Sequence, residues 1–280
     1  MSTPLLQVKD LGLSLPDMAH KSLFAPAPMK RIFRNISFEL QAGSSLGVIG
    51  ESGSGKSTLA RALTLIMPPQ EGELLFRGES VLGFNEQQRI HYRSQLQMIF
   101  QDPMSSLNPR RRISDTIAQP LQVMGRELNA SYRRDKVMQL LQRVGLDTKL
   151  ASRYPHQLSG GQRQRVGIAR ALALQPVALI ADEVTSGLDV SAQARIVALL
   201  EALRREEGLA LIFISHDLSL VRSLCDEVLI LRQGEVMEQG AAAQIFSQPR
   251  HAYTRDLMDA IALPEPDASW LERGHSPLGN

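Results

Sequence analysis

The sequence predicts an α/β protein with a mostly parallel β-sheet. Three apolar runs, at residues 46–49, 177–181 and 209–214, are continuous, which is typical of parallel strands buried on both faces. Helical segments separate these runs along the chain, and strands that alternate with helices build parallel sheets. Residues 113–151 show helical spacing and no strand signal, so we expect a helical subdomain inserted between two parts of the α/β core.

The N-terminal part of the chain carries strand patterns of a different kind. Residues 5–15 alternate loosely and predict a first strand, which an irregular, proline-bearing segment at 16–29 follows. Residues 36–40 alternate cleanly and indicate a half-buried strand, and residues 73–76 predict an edge strand. The remaining predicted elements are helices at 59–67, 85–93, 162–174, 191–207, 217–224 and 254–262, a strand at 97–100, and a hairpin of 228–231 with 235–238.

Composition argues against several classes of protein. The 31 Lys and Arg residues against 29 Asp and Glu residues give a net charge of +2, which does not favour nucleic acid as a partner. The single cysteine, Cys225, excludes an internal disulfide and a four-cysteine cluster. The first ten residues lack the pattern of a signal peptide, and no apolar run approaches the ~20 residues that span a bilayer. We therefore expect a soluble protein on the cytoplasmic side that reaches any membrane through a partner.

Residues 50–58 have the features of a phosphate-binding loop. They lie between a predicted strand and a predicted helix, and their glycines leave the backbone amides open to a phosphate group. Lys56 is expected to reach the β- and γ-phosphates, and the Ser57 hydroxyl to bind Mg²⁺. The predicted nucleotide-binding residues of this loop are Gly50, Glu51, Ser52, Gly53, Ser54, Gly55, Lys56, Ser57 and Thr58.

Polar residues stand at the carboxyl ends of other predicted strands, where parallel α/β sheets bind ligands. Asp182 is a suitable Mg²⁺ ligand, and Glu183 beside it can polarise the water that attacks the γ-phosphate. Alone, this pair is also compatible with an ordinary acidic turn, but the loop upstream favours catalysis. His216 is expected to contact the γ-phosphate, the alternative being a surface or capping histidine. Gln101, at the end of another strand, indicates little by itself.

The segment Leu158-Ser159-Gly160-Gly161-Gln162 predicts the start of a helix. Ser159 and Gln162 have the spacing of a capping box, in which each residue satisfies a backbone amide of the other. The two glycines between them leave the first turn bare of side chains. A capped, bare helix N-terminus of this kind is a second anion-binding site.

Taken together, these motifs resemble an ABC transporter ATPase over about residues 5–262. The matching pieces are the loop at 50–58, Gln101, the segment at 158–162, Asp182-Glu183, Ser186-Gly187-Leu188-Asp189 and His216. The resemblance implies a P-loop NTPase core of the RecA-like type, an antiparallel β subdomain and a helical subdomain inserted at about 103–165. It also implies an ABC ATPase domain over 1–250, followed by a C-terminal extension of the oligopeptide-transporter type over 251–280.

ATPases of this family work in head-to-tail pairs, in which ATP bound by one subunit is covered by residues 158–162 of the other. The implied cofactors are ATP and Mg²⁺. The contacts to the partner's ATP are implied for Ser159, Gly160, Gly161 and Gln162, and a place in the dimer interface for Asp189. The implied catalytic residues are Glu183, His216 and Gln101, and the implied metal ligands are Ser57, Gln101 and Asp182.

A narrower resemblance is to importers of oligopeptides, dipeptides or nickel. It rests on residues 101–110 and on the tail His251-Ala252-Tyr253-Thr254. Such importers use two different ATPase chains, and one type carries a cysteine-rich tail for an iron–sulfur cluster. With Cys225 alone, this chain is similar to the other, "F" type. The implied partners are a second ATPase subunit, two transmembrane permeases and, indirectly, a solute-binding protein, at the cytoplasmic face of the inner membrane.

Three residues depart from the family pattern. Leu15 stands where a tyrosine usually stacks on adenine, and Phe24 and Phe33 are candidate substitutes. Val184 replaces a usual proline, and Gly187 a commoner alanine. We expect peptide import, with nickel or metal-chelate import as the alternative.

A second alternative is a non-transport ABC protein in DNA repair or translation. DNA-repair proteins of this family place a long coiled coil between the phosphate-binding loop and the segment at 158–162, and this chain shows no heptads there. Translation proteins of this family carry two ATPase domains in one chain, whereas this chain shows the motifs of one. A nucleotide-binding partner that does not hydrolyse ATP is a third, and Glu183 argues against it.

Overall fold

The structure is a computed structural model that describes residues 3–18, 27–102, 106–124 and 129–259. Its strands are β1 (Leu6–Pro16), β2 (Met29–Leu40), β3 (Ser45–Ile49), β4 (Glu71–Phe76), β5 (Glu79–Ser80), β6 (Leu96–Ile99), β7 (Ala178–Asp182), β8 (Ala210–Ile214), β9 (Glu227–Arg232) and β10 (Glu235–Ala241). Its α-helices are α1 (Lys56–Leu63), α2 (Glu86–Gln95), α3 (Ile113–Met124), α4 (Ala130–Arg143), α5 (Gly160–Leu172), α6 (Val190–Glu207), α7 (Leu218–Leu224), α8 (Ala242–Ser247) and α9 (Ala252–Asp259).

The chain divides into two compact units. The first lies within residues 1–93 and 212–263, and the second within residues 94–211. The division predicted from the sequence, at residue 250, follows the resemblance rather than these units and stays a prediction. None of the helices in the described ranges is long and apolar enough to cross a membrane.

The first unit contains an antiparallel sheet of four strands in the order β2-β1-β4-β5. Leu6 of β1 pairs with Leu40 on one side and with Phe76 on the other, so β1 is a central strand. The side chains of Leu6, Val8, Phe38 and Leu74 are buried, which gives this sheet its own apolar face. The antiparallel β subdomain that the sequence analysis expected is confirmed.

Strand β2 is longer than the sequence pattern predicted. It begins at Met29 and not at residue 36, because Met29 and Lys30 already pair with Pro16 and Leu15 of β1. The alternation fails there because the strand lies at the sheet edge, where residues 29–31 are exposed, and because the register shifts three times along the pair.

The first unit also holds strands of a second, mixed sheet, in the order β10-β9-β3-β8. Strand β3 runs parallel to β9, with Gly47 opposite Val228, and β9 forms an antiparallel hairpin with β10. The end of β8 adjoins the end of β3, since the Ser215 amide donates to the Val48 carbonyl over 3.3 Å. The residues that follow β3 and β8 are therefore neighbours at one edge.

The second unit contains strands β7 and β6 and the first two residues of β8, together with helices α3 to α6. Strands β6 and β7 are parallel, with Met98 opposite Ile180, and all five residues of β7 are buried. The helical spacing at 113–151 corresponds to α3, α4 and a 3₁₀ turn at Thr148–Ser152. The mostly parallel α/β core is thus confirmed.

Helix α1 is displaced from its predicted position. It spans Lys56–Leu63 instead of 59–67, since Leu65 has a φ of 57° and cannot continue a right-handed helix. Arg93 stabilises this early end by donating to the carbonyls of Thr64 and Leu65 over 3.3 and 2.9 Å. The short elements β5 and α8 were not predicted from the sequence.

Candidate functional site

The phosphate-binding loop joins β3 to α1 in the first unit. Lys56 is the first residue of α1 and is only 5% exposed. Its ammonium group donates to the carbonyls of Gly50 and Glu51 over 2.6 and 2.9 Å. The lysine therefore bends back over the loop, and its charge is held where an anion on the loop amides would lie.

Backbone geometry explains two of the loop glycines. A Cβ atom on Gly50 would lie 2.1 Å from the Leu231 carbonyl oxygen, so a side chain there has no room. Gly55, the N-cap of α1, has a φ of 104°, which L-residues rarely adopt. No side chain caps α1 and its first turn contains no acidic residue, so its amides suit an external anion.

His216 follows β8 in the first unit and is exposed. Ser215 precedes it at the strand edge next to β3, and the Ser215 hydroxyl accepts a hydrogen bond from the Asp217 amide over 3.0 Å. Asp217, and not His216, caps α7 by accepting from the amides of Ser219 and Leu220. His216 is thus not the cap of α7, and both the surface alternative and its contact with a γ-phosphate stay predictions.

Asp182 and Glu183 differ in their surroundings, although they are adjacent at the end of β7 in the second unit. Asp182 is 3% exposed, whereas Glu183 is half-buried and has a φ of 46°. A left-handed conformation costs a non-glycine residue of order 1–3 kcal/mol, and such residues cluster at functional sites. The two carboxylates thus differ in burial and in backbone conformation, and their roles towards metal and water stay predictions.

Gln101 and Glu183 are brought together by the structure. The Gln101 side-chain amide donates to the Glu183 carboxylate over 2.6 Å, which links residues 82 positions apart in the chain. Because the NH₂ end of the amide faces Glu183, the carbonyl end is the atom available as a metal ligand. Gln101, which alone indicated little, is thus a positioning partner of the predicted catalytic carboxylate.

The signature segment, residues 158–162, forms the capping box that its sequence predicts. The Ser159 hydroxyl accepts from the Gln162 amide over 3.3 Å, and the Gln162 side chain accepts from the Ser159 amide over 2.9 Å. A Cβ atom on Gly160 would lie 3.1 Å from Leu188, and one on Gly161 the same distance from Ala192. The glycines therefore also allow the helix start to pack against the segment around Asp189.

A cleft in the second unit opens beside the signature segment. It is lined by Ser159, Gly160, Gly161, Arg165, Gly187, Leu188, Asp189, Ala192 and Arg195. Burial lowers the pKa of Arg165, and the like charge of Arg195 lowers it further. An anion in the cleft would relieve this repulsion, so the cleft suits a phosphate group. The sequence analysis did not identify Arg165 and Arg195 as residues of this site. Arg165 could have been found, because it lies four residues, or one helical turn, after Gly161 and so on the same face of the helix.

Asp189 has a structural role in addition to the predicted one. Its carboxylate caps α6, accepting from the Ser191 hydroxyl over 2.7 Å and from the Ala192 amide over 2.9 Å. These hydrogen bonds, that of Ser191 foremost, hold the pKa of Asp189 below its usual range. Gly187, the departure from alanine, has a φ of 71°, so its conformation favours glycine.

Burial reduces the number of candidates for the residue that stacks on adenine. Phe33 is 1% exposed, so its ring is enclosed in the core and is not available to stack on a base. The suggestion of Phe33 as a substitute is therefore wrong. Phe24 lies outside the described residues, and Leu15 is half-buried on β1. Val184, the departure from proline, is buried and keeps an apolar side chain at that position.

Comparison with curated proteins places the chain among transport ATPases. A family model described as ABC transporter matches residues 33–186. The oligopeptide transport ATP-binding protein OppF of Haemophilus influenzae is 45% identical over 273 residues, which cover 97% of this chain and 81% of that protein. The dipeptide transport ATP-binding protein DppF of Escherichia coli is 43% identical over 267 residues, which cover 95% and 79%.

Solved structures give a similar result. CbiO1 of Clostridium perfringens, part of the ABC transporter complex cbiONQ, superposes with a TM-score of 0.74 at 27% identity, covering 88% of this chain and 92% of that one. The ATP-binding cassette MJ0796, in a dimeric structure of a post-hydrolysis state bound to ADP and Pi, gives the same TM-score and identity over 85% and 98%.

Proposed function

The chain belongs to the ABC transporter family, and on this premise we propose that it is the ATP-hydrolysing subunit of a bacterial importer of oligopeptides or dipeptides. The observation that carries the nucleotide part is the loop at 50–58, where the Lys56 ammonium bends back onto two loop carbonyls at an uncapped helix start. The cargo class rests on the likeness to proteins named as oligopeptide and dipeptide transport subunits.

The roles of individual residues follow from their chemistry. The amides of the loop and the Lys56 ammonium bind the phosphates of ATP, and Glu183 orients the attacking water as general base. The hydrogen bond from Gln101 fixes the Glu183 carboxylate in the orientation that this role requires. His216 contacts the γ-phosphate.

Mg²⁺ fits the donor set of the chain. The Ser57 hydroxyl, the Asp182 carboxylate and the Gln101 carbonyl are hard oxygen donors of the kind that this cation prefers, and it needs only one or two protein ligands besides phosphates. Within the described ranges no group of three or more His, Cys, Asp or Glu side chains forms a dedicated metal cluster. When bound, Mg²⁺ neutralises charge on the phosphates.

The cleft beside the signature segment covers ATP that a second ATPase subunit holds. Ser159, the two signature glycines and Gln162 are the contacts, and Asp189 lies in the interface. The supporting observations are the positive charge of the cleft and the dimeric arrangement described for the cassette MJ0796. The second subunit is a different chain, and the pair acts with two permeases and a solute-binding protein at the cytoplasmic face of the inner membrane.

The nucleotide role is tested with Lys56→Ala. Loss of the ammonium leaves the loop without its cation, so we expect the ATP dissociation constant, measured with a fluorescent ATP analogue, to rise about 100-fold or more. Lys149→Ala is the matched control, because Lys149 is exposed in the second unit. An unchanged dissociation constant in Lys56→Ala would refute the loop assignment.

The cargo is tested in the source bacterium. Uptake of radiolabelled tripeptide and of ⁶³Ni²⁺ is compared between a deletion strain that expresses the wild-type chain and one that expresses Glu183→Gln. We expect peptide uptake to be lost in the Glu183→Gln strain while nickel uptake is unchanged. Loss of nickel uptake instead would favour the metal importer.

A further inference from the structure

Strand β2 passes directly beside the phosphate-binding loop in the first unit. A Cβ atom built on Gly55, the N-cap of α1, would lie 3.3 Å from the Ile32 carbonyl oxygen and 3.8 Å from Ile32 Cγ2. A Cβ atom built on Gly234, at the turn between β9 and β10, would lie 2.1 Å from the same carbonyl oxygen. The Gly234 amide in turn donates to the Ser54 carbonyl over 3.0 Å. The backbone of Ile32 therefore lies between the loop and the hairpin turn.

A β-bulge sets the position of the Ile32 side chain. The pairing of β1 with β2 passes from Leu13 opposite Phe33 to Ser14 opposite Arg31, so Ile32 is the extra residue on β2. Bulges re-aim side chains and are over-represented next to active sites. Here the bulge leaves the Ile32 side chain half-buried at the start of α1.

Ile32 is the apolar side chain that a ligand on the loop can reach from this side. Phe33, whose Cβ also lies 3.8 Å from a Cβ built on Gly55, is only 1% exposed. Leu231, whose carbonyl lies against Gly50, is fully buried. Because a ligand contacts only the surface that is open to solvent, Ile32 is the one of these three residues that is available to it.

The end of β1 adds a second half-buried aliphatic side chain, that of Leu15. Leu15 lies directly opposite Lys30, two residues before Ile32. The residue that precedes it, Ser14, is fixed by the side chain of Gln70, which donates to the Ser14 carbonyl over 3.1 Å and accepts from the Ser14 amide over 2.7 Å. Leu15 is thus held at the same end of the β1–β2 pair as Ile32.

The chemistry of a nucleotide gives this surface a use. A nucleotide whose phosphates lie on the amides of the loop has a base that must rest on a neighbouring surface. The face of a purine is flat and largely apolar, and packing it on aliphatic side chains removes apolar area from water. Isoleucine and leucine side chains have no hydrogen-bonding group, so they contact adenine and guanine alike.

We propose that Ile32 contacts the base of the bound nucleotide and that, together with Leu15, it forms an aliphatic platform in place of an aromatic ring. The platform holds the base by apolar contact and does not read its hydrogen-bonding edge. The expected substrates are therefore purine nucleoside triphosphates in general. This inference rests on the proposed function, because it presumes that the loop binds the phosphates of a nucleotide.

The first test compares ATP with inorganic tripolyphosphate, which has the phosphates and lacks the base. Dissociation constants are measured by isothermal titration calorimetry for the wild type and for Ile32→Ala. We expect the dissociation constant of ATP to rise about fivefold, as the loss of apolar contact area predicts, while that of tripolyphosphate is unchanged. An equal rise for both ligands would overturn the proposal, because it would mean that Ile32 supports the loop and not the base.

The matched control is Ile90→Ala, the same truncation on α2. Ile90 is 42% exposed in the first unit, so this variant should bind both ligands like the wild type. An Ile32→Ala chain that binds ATP as tightly as the Ile90→Ala control would also overturn the proposal.

The second test restores an aromatic ring at the end of β1. Stacking on a ring adds to the affinity for a base, so we expect Leu15→Tyr to lower the ATP dissociation constant about tenfold and to leave that of tripolyphosphate unchanged. Phe24→Ala should bind ATP like the wild type, because the platform does not use that ring. A Phe24→Ala chain that loses affinity for ATP but not for tripolyphosphate would overturn the proposal, since an aromatic residue would then already hold the base.

The third test replaces the base. We expect the wild type to bind GTP about as tightly as ATP, and a clear preference for ATP would contradict a platform without hydrogen-bonding groups. A wild-type chain that binds neither ATP nor tripolyphosphate would overturn the proposed function. Binding of both ligands without the expected effects of Ile32→Ala and Leu15→Tyr would overturn this inference alone.

Discussion

The phosphate-binding loop and the signature segment both present a helix N-terminus, yet different interactions hold them. At the signature, Ser159 and Gln162 satisfy each other's amides within four residues. At the loop, no side chain caps α1, and support comes from Lys56 and from the amide of Gly234, 180 positions after Ser54. The start of α1 is therefore left without a side-chain cap where an anion can bind, whereas two amides of the signature segment are already used by its cap.

From this difference we expect ATP binding and ATP hydrolysis to depend on different parts of the chain. The loop has a helix start that no side chain caps and a cation held on its carbonyls, so variants there are expected to act on ATP affinity. The second unit carries Glu183, Gln101 and the arginine-lined cleft, so variants there are expected to act on turnover. The following changes test this separation, from the largest effect to the smallest.

Glu183→Gln is expected to have the largest effect. It keeps the shape of the side chain and removes the proposed general base, so hydrolysis should fall ~10²–10⁴-fold while ATP still binds. Steady-state phosphate release and equilibrium ATP binding measure the two quantities. Glu206→Gln is the control, because Glu206 is an exposed glutamate on α6. Near-normal turnover in Glu183→Gln would show that Glu183 is not the general base.

Gln101→Ala is expected to have a smaller effect on turnover. It removes the amide that lies 2.6 Å from the Glu183 carboxylate, and we expect kcat to fall about tenfold, the typical worth of a charge-assisted hydrogen bond. The ATP dissociation constant should stay within twofold of the wild-type value. Gln142→Ala, at an exposed position of α4, is the control. A change in ATP affinity without a change in kcat would contradict this role and would show that Gln101 acts in ATP binding, as the loop does.

The sequence predicts the features that depend on neighbouring residues. The capping box at Ser159 and Gln162 is a spacing of three, and the phosphate-binding loop is a run of nine residues between a strand and a helix. Both are found in the structure as expected, with α1 starting at Lys56 rather than at 59.

The features that escaped prediction depend on contacts across the fold or on backbone conformation. The left-handed φ of Glu183 has no sequence signature, since glutamate rarely adopts it. The bond between Gln101 and Glu183 joins the ends of two strands whose pairing is visible only in the folded sheet. The support of the loop by the Gly234 amide likewise requires the hairpin to be in place.

The most direct test of the separation between binding and turnover is the ATP dissociation constant of the isolated Ser159→Ala chain. The substitution removes the signature cap, which costs about 1 kcal/mol of stability, and removes the contact that we propose Ser159 makes with the partner's ATP. Asn129→Ala, which removes the matching cap of α4, controls for the loss of stability. We predict a dissociation constant within twofold of wild type, together with a roughly tenfold loss of turnover in the assembled ATPase pair that the control does not show. A large rise in the dissociation constant of the isolated Ser159→Ala chain would contradict the account, because it would mean that the signature binds the nucleotide of its own chain.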